Sequence, residues 1–559
     1  MPARTYGPAL LAAALGAVLY LPSLGSGFLA YDDPHFILGP EVVRAPSLRA
    51  AGAVLAAPVW GSYHPLHILS YALDSLVWGL ERPAGFHATN VALFAACCAL
   101  VVLVARSFGC SARGAALAGV LFAVHPSHVE SVAWLTGRKD VLSGVFLLLA
   151  LLVRERPRLA VFFFLLALAS KTTAAALAPF LVLDAWLARR PGEEARLRAF
   201  VRFVPFLVLA AGWIVIEALA QKSVGGVKVR GGGPLESVAV VLRSLAWYPA
   251  RFVWPHPLTP RPSLGGSPLG SLAVLAFAVA PAFFDRRLAR AIAFFFLALA
   301  PVSNVVPLAN EVQDRYLFLP SIAACCVAGE LAGRRKWWGL PLAALAVFLL
   351  ARSTARYEGA WRSDAALWTA AVEADDNPVA RIGLAAARMR EGKLDEAKVD
   401  VLVAVKGGGG TLALLALAVV DERRGDLPAA RAALEEAWRH APGEPPVGAA
   451  LVRLLAREGN VARARSVLGE FESSAPTATS THRARAYVLQ VEGDLVHAEA
   501  EYVLASPELE TDDWLTLAAI ERRLGRDDRA RSALAHALLL DPSVRTRLAS
   551  DPVLGPLLR

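Results

Sequence analysis

Ionisable side chains are concentrated in one stretch, HPSHVESVAWLTGRKD (125–140), which lies between two apolar runs. It holds His125, His128, Glu130, Arg138, Lys139 and Asp140. Such groups are costly at membrane depth and usually face a cavity or pair with one another. On a helix His125 and His128 would share a face, but no third ligand stands at a spacing suited to zinc. Arg138 and Lys139 suit a phosphate, one by bidentate hydrogen bonding and the other as a point charge. A purely structural polar network competes with that reading. A second cluster is YDDPHFI (31–37). Adjacent Asp32 and Asp33 repel, so one holds a proton or both share a divalent cation. A carboxylate there could act as the general base that takes a proton from an acceptor hydroxyl; the plainer alternative is a solvated turn. Lys171 stands between two wholly apolar runs, Arg315 follows Asp314 in QDRY, and Tyr63, His64 and His87 add further polar groups.

The elements that must position these residues are membrane helices. The 559-residue chain is 56% hydrophobic with a mean hydropathy of +0.47, more apolar than soluble domains of this total length. The apolar runs lie in 1–351, whereas 352–559 is rich in Arg, Glu and Asp. A bilayer core of about 30 Å calls for roughly 20 apolar residues per helix. Candidate spans lie near 7–24, 87–106, 113–127, 139–153, 159–170, 172–187, 203–220, 236–254, 269–284, 291–309, 316–333 and 337–351. The net charge of +9 is carried mostly by Arg, in clusters beside these spans. Membrane orientation accounts for that placement better than nucleic-acid binding does. The clusters at 106 and 113, 154–158, 189–202, 285–290 and 334–336 are expected on the cytoplasmic side. That assignment works if 236–254, amphipathic and carrying Arg243 and Arg251, lies in the interface or re-enters. About eleven crossings result, with the N-terminus inside and everything after 350 outside. Four segments then share the outer face: 25–86, 125–138, the break at Ser170-Lys171, and 310–315. The N-terminal apolar stretch is taken as a retained helix, not a cleaved leader. The cysteines Cys97, Cys98, Cys110, Cys325 and Cys326 have no metal or redox spacing and are taken as small buried hydrophobes.

The C-terminal part repeats. Gly stands at 392, 425, 459, 493 and 525, and five residues later Ala stands at 397, 430, 464, 498 and 530. Pro442, Pro476, Pro507 and Pro542 fall near the ends of the units. A period near 34 with these residues is the tetratricopeptide signature, a helical hairpin that buries its apolar face only by stacking. Such a solenoid offers a groove for a peptide or protein, or serves as a spacer. KGGGG (406–410) is expected to open a turn after the first unit. The expected organisation is all-α: a multi-spanning domain over 1–351, a connecting helix or linker over 352–378, and repeats over 379–559.

These motifs resemble the transmembrane and tetratricopeptide-repeat protein family. The most specific match is HPSHVESVAWLTGRKD, supported by YDDPHFI, GFHATNVALF (85–94), ASKTTAAALAPFLVLDAW (169–186) and PVSNVVPLANEVQDRYLFLPS (301–321). The resemblance implies a class C glycosyltransferase fold with its site on the non-cytoplasmic face and a polyprenyl-phosphate-linked sugar as donor. Eukaryotic members are O-mannosyltransferases. By the same resemblance Asp32 or Asp33 acts as the base or binds the acceptor. Arg138, Lys171 and Arg315 lie near the donor phosphate, with His64, His125, His128, Glu130, Lys139 and Asp140 around it. The family often has Arg where this chain has His64, Glu where it has Thr172, and Glu where it has Asp314.

The expected activity is inverting transfer of a sugar, mannose by the resemblance, to a hydroxyl of a protein that the repeats recruit. No cofactor is required, although Asp32 and Asp33 could share a divalent cation. The other partners are the lipid bilayer and the lipid-linked donor, with no nucleic acid. Two other classes stay open: a non-catalytic membrane-anchored scaffold for envelope assembly, and a transporter of lipid-linked glycans. Arg- and Ala-rich, Lys-poor usage points to a GC-rich bacterium, hence to an inner-membrane protein with periplasmic repeats.

Overall fold

A computed structural model describes residues 5–188, 193–223, 233–308, 310–334, 339–473, 476, 478–506, 509–540 and 544–558. Part of the basic stretch 189–202, most of the loop 221–235, Lys336, Pro507 and Pro542 lie outside the described residues. The described residues form helices, with an isolated bridge between Val59 and Ser62. The chain divides into two compact units, Met1–Asp375 and Asp376–Arg559.

In the first unit α1 (Tyr6–Tyr20), α2 (Pro65–Trp78), α3 (Pro83–Ser107), α4 (Ala112–Val124) and α5 (Arg138–Leu152) come first. They are followed by α6 (Pro157–Ser170), α7 (Leu177–Ala188), α8 (Glu193–Ser223), α9 (Pro234–Val253) and α10 (Pro268–Val279). The unit closes with α11 (Arg286–Leu299), α12 (Phe318–Arg334), α13 (Gly339–Glu358) and α14 (Asp364–Ala374). Among the described residues, five helical stretches are long and apolar enough to cross a membrane: Tyr6–Gly25, Pro83–Ser107, Val201–Lys222, Asp314–Arg334 and Gly339–Arg362. Shorter apolar helices at Ala112–Val124, Pro157–Ser170, Thr172–Leu187 and Pro268–Phe283 pack with them. Their length and apolarity make this an integral-membrane unit.

Local chemistry sets several boundaries. The side chains of Ser111, Ser267 and Asp285 cap α4, α10 and α11 by accepting backbone N–H groups. The stretch 291–309, expected as one span, stays helical only to Val302. Beyond it Asn304 adopts a φ of 64° and donates to Ser244 Oγ at 2.9 Å, so side-chain bonding replaces the helix ladder. α9 buries Val240, Ser244, Tyr248 and Arg251 on one face and exposes Leu235, Val238 and Val253. Gly329 and Gly333 of α12 bring it against α4, since a Cβ on Gly329 would lie 2.5 Å from Gly114 O. This is the small-xxx-small packing of membrane helices.

Residues 352–375 pack within the first unit. α13 continues to Glu358, Thr354 Oγ1 donates to Val124 O at 2.7 Å, and Trp361 stacks on Trp134 at 6.0 Å.

The second unit is built of helical hairpins. The first helices are Pro378–Arg390, Gly410–Arg424, Pro445–Arg457, Thr479–Glu492 and Thr511–Arg523. Each is followed by its partner: Leu394–Lys406, Leu427–His440, Val461–Glu472, Leu495–Leu504 and Asp527–Leu540. The five recurring glycines have φ between 75° and 86°, which ends the first helix at little steric cost. The five recurring alanines are all 0% exposed. Side chains of Asp426, Asn460 and Asp494 cap the second helices. The glycines of KGGGG form the turn between the first and second hairpins.

Candidate active site

Four chain segments meet at one end of the first unit. The 26–64 loop reaches the 125–137 turn through Asp33, whose Oδ1 accepts from Thr136 N at 3.2 Å and Thr136 Oγ1 at 2.6 Å. Its Oδ2 accepts from Leu29 N at 2.8 Å. The 125–137 turn reaches the QDRY segment, where Glu130 accepts from Arg315 N at 3.2 Å and faces Arg315 Nη1 at 3.3 Å. The break after α6 reaches α5, with Lys171 Nζ 2.5 Å from Asp140 Oδ1. A narrow cleft of about 210 Å³, counting its open mouth, is lined by Asp140, Lys171, Thr173, Arg315, Tyr316 and Leu319.

The structure separates the two adjacent carboxylates. Asp33 is fully buried, and burial pushes its carboxyl up to about 7 against the pull of its three hydrogen-bond donors. It is a clasp between two loops, and neither oxygen is left for a reactant. Asp32 is half-buried, and its side chain makes no hydrogen bond or ion pair among the described residues. It lies close enough to Lys139 and Arg315 to interact electrostatically with both.

The basic residues separate in the same way. Arg138, expected beside the donor phosphate, is 0% exposed and already engaged. It donates to Asn90 Oδ1 at 2.6 Å, Phe86 O at 2.8 Å and Ser70 O at 3.2 Å, and pairs with Asp74 at 2.5 Å. Its guanidinium covers the Tyr71 ring at 4.3 Å. Arg138 is therefore a strut joining α2, α3 and α5. Arg315 differs: its Nε and Nη1 have no hydrogen-bond partner, and its guanidinium sits 5.0 Å from the Trp134 ring. Lys139 Nζ lies 5.2 Å from the Phe36 ring and makes no ion pair among the described residues. Of the basic residues expected at the donor phosphate, Lys171, Lys139 and Arg315 thus face this region, and Arg261 lies 5.3 Å from the Tyr31 ring beside it. Arg138 is not among them.

The histidines have other tasks. His125 bonds to Ser127 Oγ at 2.7 Å and to Phe252 O at 3.0 Å. His128 bonds to Phe122 O and Ser321 Oγ, each at 2.8 Å. Both rings are satisfied inside the bundle and tie the 125–137 turn to α9 and α12. They do not face the cleft. His64 Nε2 accepts from Thr172 N at 3.1 Å and contacts Thr172 Oγ1 at 3.0 Å. Its Nδ1 lies 2.8 Å from Ser62 Oγ, which donates to Glu217 at 3.2 Å. Burial holds His64 down at about 4, so the ring is neutral near pH 7. Burial also pushes Glu130 up to about 7, against the pull of Arg315. Among the described residues, no group of three or more His, Cys, Asp or Glu converges as a metal ligand set.

Sequence reasoning passed over several of these partners. Glu217 is a lone acid in an apolar span, a signal in itself; it also accepts from Tyr63 N at 2.8 Å. Asp74, which holds Arg138, carried no motif, and Asn90, its other partner, stood in GFHATNVALF without an assigned role. Arg251, expected at the interface, is instead buried and paired with Asp314 at 2.5 and 2.7 Å, fixing the segment that carries Arg315. An aromatic wall was also not foreseen: Tyr31 lies 5.1 Å from Trp134 and 5.7 Å from Trp368.

Fold and site together define an all-helical integral-membrane protein with a charged cleft at one end of its bundle and tetratricopeptide-like hairpins at its C-terminus. A tetratricopeptide-repeat family model matches residues 423–486. The chain is similar to protein O-mannosyl-transferases of the transmembrane and tetratricopeptide-repeat group. It is 42% identical to Tmtc1 of Drosophila melanogaster over 153 residues, 26% of this chain and 17% of that protein. It is 40% identical to Tmtc2 of the same fly over 151 residues, 26% of this chain and 16% of that protein. With tmtc2 of Xenopus laevis the identity is 37% over 153 residues, covering 26% and 18%. The chain thus matches less than a fifth of the length of these relatives. A thermophilic TPR protein of Thermus thermophilus covers 31% of this chain and 97% of its own, at 24% identity and a TM-score of 0.27.

Proposed function

We propose that the protein is a membrane glycosyltransferase that moves a sugar from a polyprenyl-phosphate-linked donor to a hydroxyl of a protein acceptor. The observation that carries this reading is one free carboxylate, Asp32, near Lys139 and near Arg315, which pairs with Glu130 through Nη1 and keeps Nε without a hydrogen-bond partner. An acid able to take a proton beside cations able to hold a phosphate is what this transfer needs. Asp32 removes the acceptor's hydroxyl proton as its oxygen attacks the anomeric carbon. The bond from that carbon to the phosphate oxygen breaks with inversion, and the lipid phosphate leaves. Arg315, Lys171 and Lys139 stabilise the charge that develops on it. The names of the relatives support mannose as the sugar. The repeats raise the local concentration of the acceptor. The site faces the non-cytoplasmic side of a bacterial inner membrane.

The test compares glycopeptides of envelope proteins, by mass spectrometry, from cells with the wild type, with Asp32→Asn, and without the protein. Transfer should fall about a hundredfold or more in Asp32→Asn, the usual scale for losing a general base, with folding unchanged. Identical glycopeptides in all three would remove the proposal.

A further inference from the structure

A second cavity, of about 900 Å³ counting its open mouth, lies at the other end of the same helices. Its walls are apolar and include Val104, Phe108, Leu151, Phe180, Phe294 and Ile322. α5, α11 and α12 each line both the charged cleft and this cavity. Roughly 16–23 Å of helix separates Asp140 from Leu151, Ala298 from Arg287, and Leu319 from Arg334, at about 1.5 Å per residue. That is most of the thickness of a bilayer's hydrocarbon core, about 30 Å. The cavity therefore belongs to the opposite leaflet from the cleft.

Its rim carries Arg287, Arg290 and Arg334 together with Asp285 and Glu330. Both acids are already engaged. Asp285 caps α11 by accepting Arg287 N at 2.6 Å, and Glu330 accepts Ser111 N and Oγ, each at 2.8 Å, while pairing with Arg334. Arg290 pairs with Asp184, and its guanidinium shares the Phe108 ring with that of Arg154. Arg287 is exposed, and its side chain makes no ion pair or hydrogen bond among the described residues.

We propose that this cavity binds an anionic phospholipid of the membrane, with an acyl chain between the helices and the phosphate at Arg287. Apolar walls under a rim where Arg106, Arg154, Arg287, Arg290 and Arg334 outnumber Asp184, Asp285 and Glu330 match that chemistry, and a basic pocket between membrane helices is a recurrent way of holding an anionic headgroup. A zwitterionic lipid leaves Arg287 without a net partner charge, and a free phosphate leaves the apolar walls unfilled. The site is separate from the transfer chemistry, so the loss of either reading leaves the other standing.

The experiment uses the full chain, reconstituted in equimolar phosphatidylglycerol and phosphatidylcholine, extracted gently and examined by native mass spectrometry. Phosphatidylglycerol should be retained in preference to phosphatidylcholine, and excess inorganic phosphate should not displace it. Arg287→Gln, an exposed change, should weaken that preference about fivefold, the factor expected for one basic residue at an anionic headgroup. Ala291→Trp, which fills the cavity, should abolish retention. Equal retention of the two lipids, retention of neither, displacement by phosphate, or an unchanged preference in Arg287→Gln would overturn the proposal. If Ala291→Trp does not fold, Arg287→Gln decides alone.

Discussion

Asp32 and Asp33 are neighbours in sequence with opposite surroundings, and that difference can be tested. The Asp33 carboxyl is raised by burial to about 7 from an ordinary 3.8. The fold therefore favours its protonated form. The resulting stability is fully present below the unfolded value and is lost as pH rises through about 7. The gap in thermal midpoint between wild type and Asp33→Asn should accordingly narrow from pH 5 to pH 7 and then level off. A constant gap would show that Asp33 does not titrate there. His64 and Thr172 support a second prediction. They are two positions at which this chain departs from the family pattern of Arg and Glu, and they touch each other. The two departures noted in the resemblance thus fall on one contact, a neutral hydrogen-bonded pair in this chain. Thr172→Glu alone would set a second carboxylate near Glu217 and should cost about 2 kcal/mol. Adding His64→Arg should recover most of that loss. Thermal denaturation of the three variants checks the coupling, and strict additivity would refute it.

At the scale of elements, the legible features were those with a period. The membrane helices and the repeats follow from apolar runs and from Gly and Ala spacing, because burial and helix termination act on nearby residues. Helix ends were less legible. The 291–309 stretch is apolar throughout, yet Asn304 and its bond to Ser244 of α9 end the regular helix early, a contact made across 60 residues. Site residues were legible as a set but not by role. Charge density marked the 125–140 stretch, yet only tertiary partners distinguish Arg138, held by Asp74 and Asn90, from Arg315, whose Nε has no hydrogen-bond partner. The approach of α4 to α12 also rests on glycines that no motif drew attention to. Gly329→Leu should cost about 1–3 kcal/mol through overpacking, because its Cβ would meet Gly114 O at 2.5 Å and Ala118 N at 2.6 Å. Gly212→Leu, at a site with nothing within 4 Å, is the matched control. Equal midpoints for the two variants would show that the close approach is not required.

The molecule as a whole carries its own optical reporter. Trp134 lies under Arg315 and stacks on Trp361, while Trp368 and Tyr31 complete the same aromatic wall. Indole emission depends on nearby charge and on water. Under the proposed function, a lipid-linked phosphate that draws Arg315 away from Trp134 should therefore shift the emission of the unlabelled protein. The Trp134→Phe variant should lose most of that shift while the other twelve tryptophans remain as background. Adding a lipid phosphate without its sugar, then the intact donor, would give separate occupancy curves for the leaving group and the substrate. An ordinary fluorimeter could then follow loading of the cleft apart from the chemistry that follows it.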